Sequence, residues 1–335
     1  MPLNLTIAIP CHNDTLHLER LLPRITTLGL ACNVIVVDDG SDLPVDTTAL
    51  RQLCGLSAEQ LRVFRQEPSR GAGAARNLAL EQVRSPYLLF LDADDLPTRE
   101  LRDLCAALPV ADTSADPQAT AFDFCLFQHH DSRMERDNLW GQMPFDQALW
   151  DQAGLSQSAV QEVPSAAAQL LVQTANYPWN KIYRTAFLRD QAIRCSETLV
   201  HNDIVLHWRS FLQARRILVS DHVGVVHFVH HNNRRLTNRQ GRERLQIFEP
   251  LDQIALEISA SQSSYAPAFY RFLPGLLLWS HGTLHPGLQA EFRTLAQGFL
   301  HRHCTAQQQK QLAQELRWRQ LFSLLTPASP SPEIS

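Results

Sequence analysis

Two apolar runs in the first hundred residues each break off into a cluster of carboxylates. One is Val34–Val37 followed by Asp38-Asp39-Gly40-Ser41; the other is Tyr87–Leu91 followed by Asp92-Ala93-Asp94-Asp95. Short β-branched and aliphatic runs without polar alternation suit strands buried on both faces of a parallel sheet. Open α/β sheets bind their ligands at the carboxyl ends of such strands. The pattern therefore sets at least four carboxylates on one edge of one sheet. Like charges that close repel unless a cation or a partner compensates them. The simplest compensation is a divalent, oxygen-liking cation that also holds a polyphosphate. That points to an enzyme handling a nucleotide.

The surrounding pattern fits an α/β fold. Leu5–Ile9, Val34–Val37, Leu61–Phe64 and Tyr87–Leu91 read as strands, with helices over Leu16–Leu28, Thr47–Leu61 and Ala72–Val83. This βαβαβ order predicts a Rossmann-like, mostly parallel central sheet with right-handed crossovers and flanking helices. A helix is expected over Thr98–Leu108, a loop over Val110–Gln118 and a strand over Phe122–Phe127. From Asp131 to Val163 the pattern weakens; Trp140, Phe145 and Trp150 stand among polar residues and suit loops that cover a site. Helices follow at Pro164–Gln173 and Ile204–Phe211, then one or two strands over Ile217–His231. Helical spacing resumes at Asn238 and runs to Leu325, before a Pro/Ser-rich tail from Thr326 to Ser335 that should fray.

Composition narrows the class. With 335 residues, 44% hydrophobic and 19% charged, the chain suits a soluble globular protein. Its net charge of −4 offers no basic surface for nucleic acid. Seven cysteines without a Cys-x-x-Cys pair read as buried or reduced thiols of a cytoplasmic protein. Fourteen histidines come without zinc-ligand spacing. No basic n-region with a long apolar h-region follows Met1, so no secretory signal is expected. The apolar stretch around Phe272–Trp279 is too short to span a bilayer.

Each motif has a chemical and a structural reading. Pro10 lacks an N–H and should stop the first ladder, sending Cys11-His12-Asn13-Asp14 into a loop. There His12 can stack on a base, or the segment can be an ordinary turn capped by Asp14 or Thr15. Asp38 and Asp39 can accept from a nucleobase or ribose, or close a turn. Arg70-Gly71-Ala72-Gly73-Ala74-Ala75-Arg76 opens a helix whose N-terminus favours an anion, but its spacing fits neither G-x-G-x-x-G nor a Walker loop. Arg76 can pair with a strand-end carboxylate or a phosphate. Asp92 and Asp94 alternate and can face one hard cation, or the cluster can cap the next helix. Asp203 stands at the start of an apolar helix, as a general base or as its cap. His230 or His231 can contact a metal or phosphate, and Arg234-Arg235 a pyrophosphate or solvent.

Taken together and in this order, Ile9-Pro10-Cys11-His12-Asn13, Val37-Asp38-Asp39-Gly40-Ser41, Gly71 with Ala75-Arg76-Asn77, Leu91-Asp92-Ala93-Asp94-Asp95, and Asn202-Asp203 with Trp208 resemble the family 2 glycosyltransferases of GT-A fold. Pro178-Trp179-Asn180-Lys181-Ile182-Tyr183-Arg184 is similar to a stretch of bacterial members that build surface polysaccharide. The resemblance covers about residues 3–235. It implies a catalytic domain over 1–235, with a nucleotide-sugar half at 1–130 and an acceptor half at 131–235. A C-terminal helical region (236–325) and a flexible tail (326–335) would follow. It implies inverting, metal-dependent transfer of a sugar, from a UDP-sugar in most members, to a hydroxyl of a glycan or lipid-linked acceptor in cell-surface polysaccharide synthesis. Pro10, His12, Asp38 and Asp39 would line the nucleobase pocket, with bracing of the loop as the other role for Asp39. Arg76 would lie near the diphosphate, and Asp92 would meet the ribose or a metal-bound water. Asp94, with Asp92 and His230, would hold Mn²⁺ or Mg²⁺, and Asp203 would be the base. This chain has Asn202 where many members have Glu, and His12 where Tyr is common. The Arg, Leu and Phe content of the C-terminal helices suits either an amphipathic surface for peripheral contact with the inner membrane face, where lipid-linked acceptors reside, or packing on the catalytic domain or on another subunit of a homo-oligomer.

Two other readings compete. A nucleotidyltransferase wants a glycine-rich loop near the N-terminus, and residues 10–24 hold no glycine. A catalytically inactive sugar- or nucleotide-binding scaffold has no need for Asp92, Asp94 and Asp203.

Overall fold

Strand β1 (Leu5–Cys11) is buried along nearly its whole length because it has a parallel neighbour on each side. These are β2 (Cys32–Asp38) and β4 (Tyr87–Phe90), and β3 (Leu61–Arg65) adds a further parallel strand beyond β2. The computed structural model describes residues 3–30, 32–109, 122–157, 159–229 and 239–326. The chain falls into two compact units, residues 1–231 and 232–335.

In the first unit, nine strands of described residues form one sheet. The other strands are β5 (Leu96–Pro97), β6 (Phe124–Asp131), β7 (Gln161–Glu162), β8 (Lys181–Arg184) and β9 (Ile217–His227), and the order is β3-β2-β1-β4-β8-β6-β9-β5, with β7 also on β9. Strand β8 runs antiparallel to both β4 and β6, which makes β6 parallel to β4, and β9 is parallel to β6. The C-terminal ends of β1, β2, β4, β6 and β9, and the N-terminal end of β8, therefore share one edge. The acidic clusters after β2 and β4 lie on that edge.

Local sequence explains the layers. In helix α1 (Thr15–Thr27), Leu18, Leu21, Leu22 and Ile25 form the buried stripe of a 3.6-residue period. They join Leu5, Ile7, Ile9, Val34, Val36 and Leu89 in one core, completed by Leu101 and Leu104 of α4 (Arg99–Ala107). The alternate residues Ala8, Ile35, Val37, Leu88 and Phe90 are equally buried on the other face. Helix α3 (Ala72–Gln82) packs on β1 and β2, and its buried residues include Ala74, Ala75 and Ala79, whose small side chains permit close approach.

Several sequence expectations shift. Pro10 does not stop the ladder: it pairs with Val37, and β1 continues to Cys11. The β1–β4 register ends at Ala8 opposite Phe90, so Pro10 has a strand on one side only and its missing N–H is tolerated. The second helix, α2 (Thr47–Cys54), ends well before Leu61 because Gly55, at φ 70°, donates back to the Arg51 carbonyl in a left-handed cap. The segment 131–163 is more ordered than its pattern suggests. It contains a 3₁₀ turn at Ser132–Asp137 and helix α5 (Pro144–Gln152), whose Leu149 and Trp150 turn inward; helices α6 (Ser165–Leu171) and α7 (Thr185–Asp190) follow it. Strand β6 reaches Asp131, with bulges on either side of Gln128, and β9 is a single strand. The expected loop at Val110–Gln118 lies outside the described residues. Six of the seven cysteines are buried, Cys32 is half-buried, and all are free thiols.

The second unit is helical among its described residues. Phe248 packs on Phe292 and Phe299 at centroid distances of 5.2 and 6.1 Å. The fully buried Trp318 donates through Nε1 to the Tyr270 carbonyl at 2.9 Å. Among the described residues no helix is long and apolar enough to cross a membrane.

Phe124, fully buried on β6, stands 5.1 Å from the Phe211 ring and 5.9 Å from Tyr183. Phe124→Ala should cost about 3–5 kcal/mol. Urea unfolding would show this as a lower midpoint at unchanged slope; an unchanged midpoint would mean that the cavity collapses without loss.

Candidate active site

Asp38 and Asp39 end β2, and both carboxylates are buried. Asp38 accepts from the Ser41 and Val45 N–H groups at 2.9 and 3.2 Å and from Arg65 Nη1 at 2.6 Å. Burial works against its ionisation, but the hydrogen bonds from Ser41, Arg65 and Val45 outweigh it and hold the carboxyl below its ordinary value. Asp39 accepts from Gln66 Nε2, from Ser69 Oγ at 2.8 Å, and from the Arg70 and Gly71 N–H groups at 2.7 and 2.8 Å. Gly71 is the N-cap of α3. The anion that the glycine-rich helix start attracts is therefore the protein's own Asp39 carboxylate.

The loop after β1 is laced to the loop after β2. The His12 ring is exposed and its Nδ1 lies 2.7 Å from the Asp39 carbonyl, so that nitrogen carries the proton. Asn13, at φ 53°, donates its N–H to Ser41 Oγ at 2.8 Å and exchanges side-chain bonds with Asp42. Pro10 is half-buried beneath them.

The turn after β4 alternates in exposure. Asp92 and Asp94 are partly exposed, whereas Ala93 and Asp95 are buried. Asp95 accepts from His227 Nδ1 at 2.9 Å and from the Phe228 N–H at 3.0 Å. Burial opposes a charge on His227, but Asp95 overrides it and lifts the imidazolium to about 9. This buried pair ties the Asp92–Asp95 turn to the end of β9.

Arg76 links the turn to the opposite wall. Its buried guanidinium donates to Asp92 Oδ1 and, at 2.8 Å, to Asn202 Oδ1. Asp203 follows Asn202 and opens helix α8 (Ile204–Gln213); its side chain makes no cap bond, so the capping role does not hold. Burial pushes the Asp203 carboxyl up to about 6, and Asp92 adds to that, while Arg76 and Lys181 pull the other way. Lys181 is fully buried at the start of β8, and donates to the Tyr177 carbonyl and Asn180 Oδ1, both at 2.7 Å. Burial takes its ammonium down to about 7 against the pull of Asp203 and Asp146.

Some of these residues escape sequence reasoning. Asn77 clamps the backbone of Cys195, donating to its carbonyl and accepting from its N–H, both at 3.0 Å. Gly73 lies against the same segment: a Cβ there would stand 2.1 Å from the Ser196 carbonyl oxygen and 2.9 Å from Asn202 Cβ. Lys181 sits within the quoted Pro178–Arg184 stretch, but nothing local points it toward Asp203. His227 likewise carries no local signal of its pairing with Asp95, 132 residues earlier.

Metal ligation has a limited donor set. Among the described residues no group of three His, Cys, Asp or Glu side chains could hold an ion. His230 lies outside the described residues, as do His231, Arg234 and Arg235. Asp92 and Asp94 remain, with one oxygen of Asp92 committed to Arg76. Two carboxylates suit Mg²⁺ or Mn²⁺ that takes its other ligands from phosphate and water, rather than an all-protein cage.

Comparisons bear on this geometry. Residues 6–149, a little under half of the chain, match the family model described as glycosyl transferase family 2. A pre-mycofactocin glycosyltransferase of Mycobacterium tuberculosis is 34% identical over 96 residues, which is 29% of this chain and 19% of that protein. The succinoglycan biosynthesis protein ExoU of Rhizobium meliloti is 33% identical over 94 residues, 28% of this chain and 27% of that protein. The chain thus spans only about a fifth to a quarter of these relatives. S. aureus TarS 1–349, crystallised with UDP-GlcNAc, superposes with a TM-score of 0.71 at 20% identity, covering 96% of this chain and 88% of that one. The mannosyltransferase PcManGT of Pyrobaculum calidifontis, in complex with GDP-Man and Mn²⁺, superposes with a TM-score of 0.51 at 15% identity, covering 97% and 86%. The fold is therefore GT-A.

Gly73→Ala should lower stability by about 1–3 kcal/mol through overpacking, because the nearest obstacle is backbone, and should displace Asn202-Asp203. A denaturation midpoint equal to that of the parent chain would show that the Ser196 carbonyl yields freely.

Proposed function

We propose that this chain, which carries a family 2 glycosyltransferase domain, transfers a sugar with inversion from a nucleotide-sugar donor to a hydroxyl of a glycan or lipid-linked acceptor. The observation that carries the reading is the link from Asp92 through Arg76 to Asn202-Asp203. It joins the donor-side carboxylates to a carboxylate whose side chain makes no helix-cap bond. UDP is the first donor nucleotide to test, because TarS, with the higher TM-score of the two neighbours, was crystallised with UDP-GlcNAc. The name of ExoU places that relative in polysaccharide synthesis, and we extend that acceptor class to this chain.

The chain's own groups suit a single displacement. Asp203 accepts the proton of the acceptor hydroxyl as that oxygen forms its bond to the anomeric carbon. The bond from that carbon to the diphosphate oxygen breaks on the opposite face, and the nucleotide diphosphate departs with the electron pair. Asp203 ends protonated, and Arg76 and Lys181 keep it ionised beforehand. The loops carrying Pro10, His12 and Asn13, braced by Asp38 and Asp39, present an exposed imidazole to the nucleobase. Asp38 and Asp39 act here by shaping the pocket, since protein donors already occupy their oxygens. A divalent cation held by Asp94, with Asp92 beside it, would supply charge to stabilise the leaving diphosphate.

Asp203→Asn should lower kcat by about 10²–10⁴-fold with UDP binding unchanged, read as UDP released from a panel of UDP-sugars. The working form is the carboxylate, so kcat/KM should climb with pH through about 6 and level off above it. The limb should vanish in the variant; normal turnover there would remove Asp203 from the base role. Asp94→Ala should abolish the part of the UDP thermal shift that needs Mn²⁺. A shift that is equally metal-dependent in the variant would place the cation elsewhere.

A further inference from the structure

The loop that leaves β6 carries an indole that the chemistry above does not use. Trp140 is 61% exposed, yet its ring lies flat on the His130 imidazole, with centroids 3.7 Å apart and planes within 13°. His130 is fully buried and fixed at both nitrogens. Its Nδ1 accepts from the Gly141 N–H at 3.0 Å, and its Nε2 faces the Glu135 carboxylate at 3.1 Å. The loop backbone is held as firmly. Asp131 donates to the Gly141 carbonyl at 3.0 Å, and Asn138 and Leu139 donate back to Glu135 and Met134, both at 3.1 Å. Asn138 at φ 56° and Gly141 at φ 128° turn the chain between them. The indole is thus preorganised, with one face on His130 and the other toward solvent, and holding so large an apolar surface in water is unfavourable unless something covers it.

Its position says what covers it. Strand β6 ends at Asp131 opposite His227, the residue that binds Asp95 of the donor-side turn. The Trp140 loop therefore leaves the sheet at the same edge as Asp92, Asp94 and Lys181. We propose that Trp140 is a stacking platform for a pyranose ring of the acceptor, so that the acceptor is a saccharide. This rests on the glycosyltransferase reading and deepens it. A pyranose presents a face of C–H bonds, weakly positive and apolar, which suits the negative π face of an indole. Its rim of hydroxyls needs acceptors and donors, and the exposed side chains of Glu135, Asp137 and Asn138 stand in the same loop. The segment holds Asp131, Glu135 and Asp137 against Arg133 and Arg136. Asp131 pairs with Arg133, and Glu135 and Asp137 offset Arg136, so the segment offers no basic cluster of the kind that draws a protein to an anionic lipid surface.

Saturation-transfer NMR on the full chain tests this, with methyl glucoside, methyl galactoside and methyl N-acetylglucosaminide as probes and a UDP thermal shift measured in parallel. At least one glycoside should receive saturation on its ring C–H protons. Trp140→Ala should weaken that binding roughly tenfold, the loss typical of truncating an aromatic anchor, and Trp140→Phe should retain most of it. The UDP shift should be equal in all three proteins. Saturation that is equal in Trp140→Ala, or absent for every glycoside with the parent chain, overturns the proposal. So does a variant that keeps glycoside binding but no longer sediments with phosphatidylglycerol vesicles, since the surface would then be a membrane contact. If the UDP shift is absent throughout while glycoside binding still depends on Trp140, the donor reading fails and the platform stands.

Discussion

The Arg76 guanidinium is the interaction on which the site depends. A buried cation is costly unless it is paired and hydrogen-bonded. Arg76 meets that demand through two segments far apart in sequence, donating to Asp92 after β4 and to Asn202 before α8. Its own helix is held against the second segment by Asn77 on the Cys195 backbone and by the absence of a side chain at Gly73. Gly73, Arg76 and Asn77 of one short helix thus fix the distance between the Asp92–Asp95 turn and Asp203. Removing the guanidinium would leave Asp92 without its ion-pair partner and Asn202 without its donor, so the two walls would lose their common register.

Asp39 plays the corresponding part at the end of β2. A carboxylate with bonds from Gln66, Ser69, Arg70 and Gly71 acts as a keystone for the loops after β2 and β3. Gly40 completes the arrangement: at φ 66° it takes a left-handed turn, and a Cβ there would stand 2.8 Å from the Ser69 nitrogen. The Asp-Asp-Gly-Ser run therefore joins turn chemistry and site building in the same residues. Choosing between the two by sequence alone sets up a contrast that the folded chain does not make.

What the sequence makes legible is what depends on local pattern. Three of the four parallel strands, β1, β2 and β4, announce themselves as apolar runs because both faces are buried, and the Asp92/Asp94 alternation follows from strand geometry. Boundaries fail where one residue overrides the pattern. Gly55 ends α2 although the helical spacing runs on toward Leu61, and Pro10 stays in the ladder because β4 stops short of it. The partners of buried groups are the least legible. Lys181 and His227 acquire their roles through Asp203 and Asp95, which lie 22 and 132 residues away, and no local signal encodes those pairings.

The same pairings change the argument from charge. Read from the sequence, a row of carboxylates on one edge calls for a metal, because like charges repel. The folded chain answers most of that repulsion itself. Arg65 neutralises Asp38, backbone and side-chain donors saturate Asp39, Arg76 holds Asp92, and His227 holds Asp95. Electrostatic crowding therefore carries no case for a cation at this edge. The case rests on Asp94, partly exposed beside Asp92, and on what a diphosphate requires, for a leaving group with that charge needs compensation that residues already paired to one another do not provide. On this view the metal belongs to the substrate complex more than to the protein. Its affinity should then depend on the nucleotide being present, which agrees with a donor set of two carboxylates and no third side chain among the described residues.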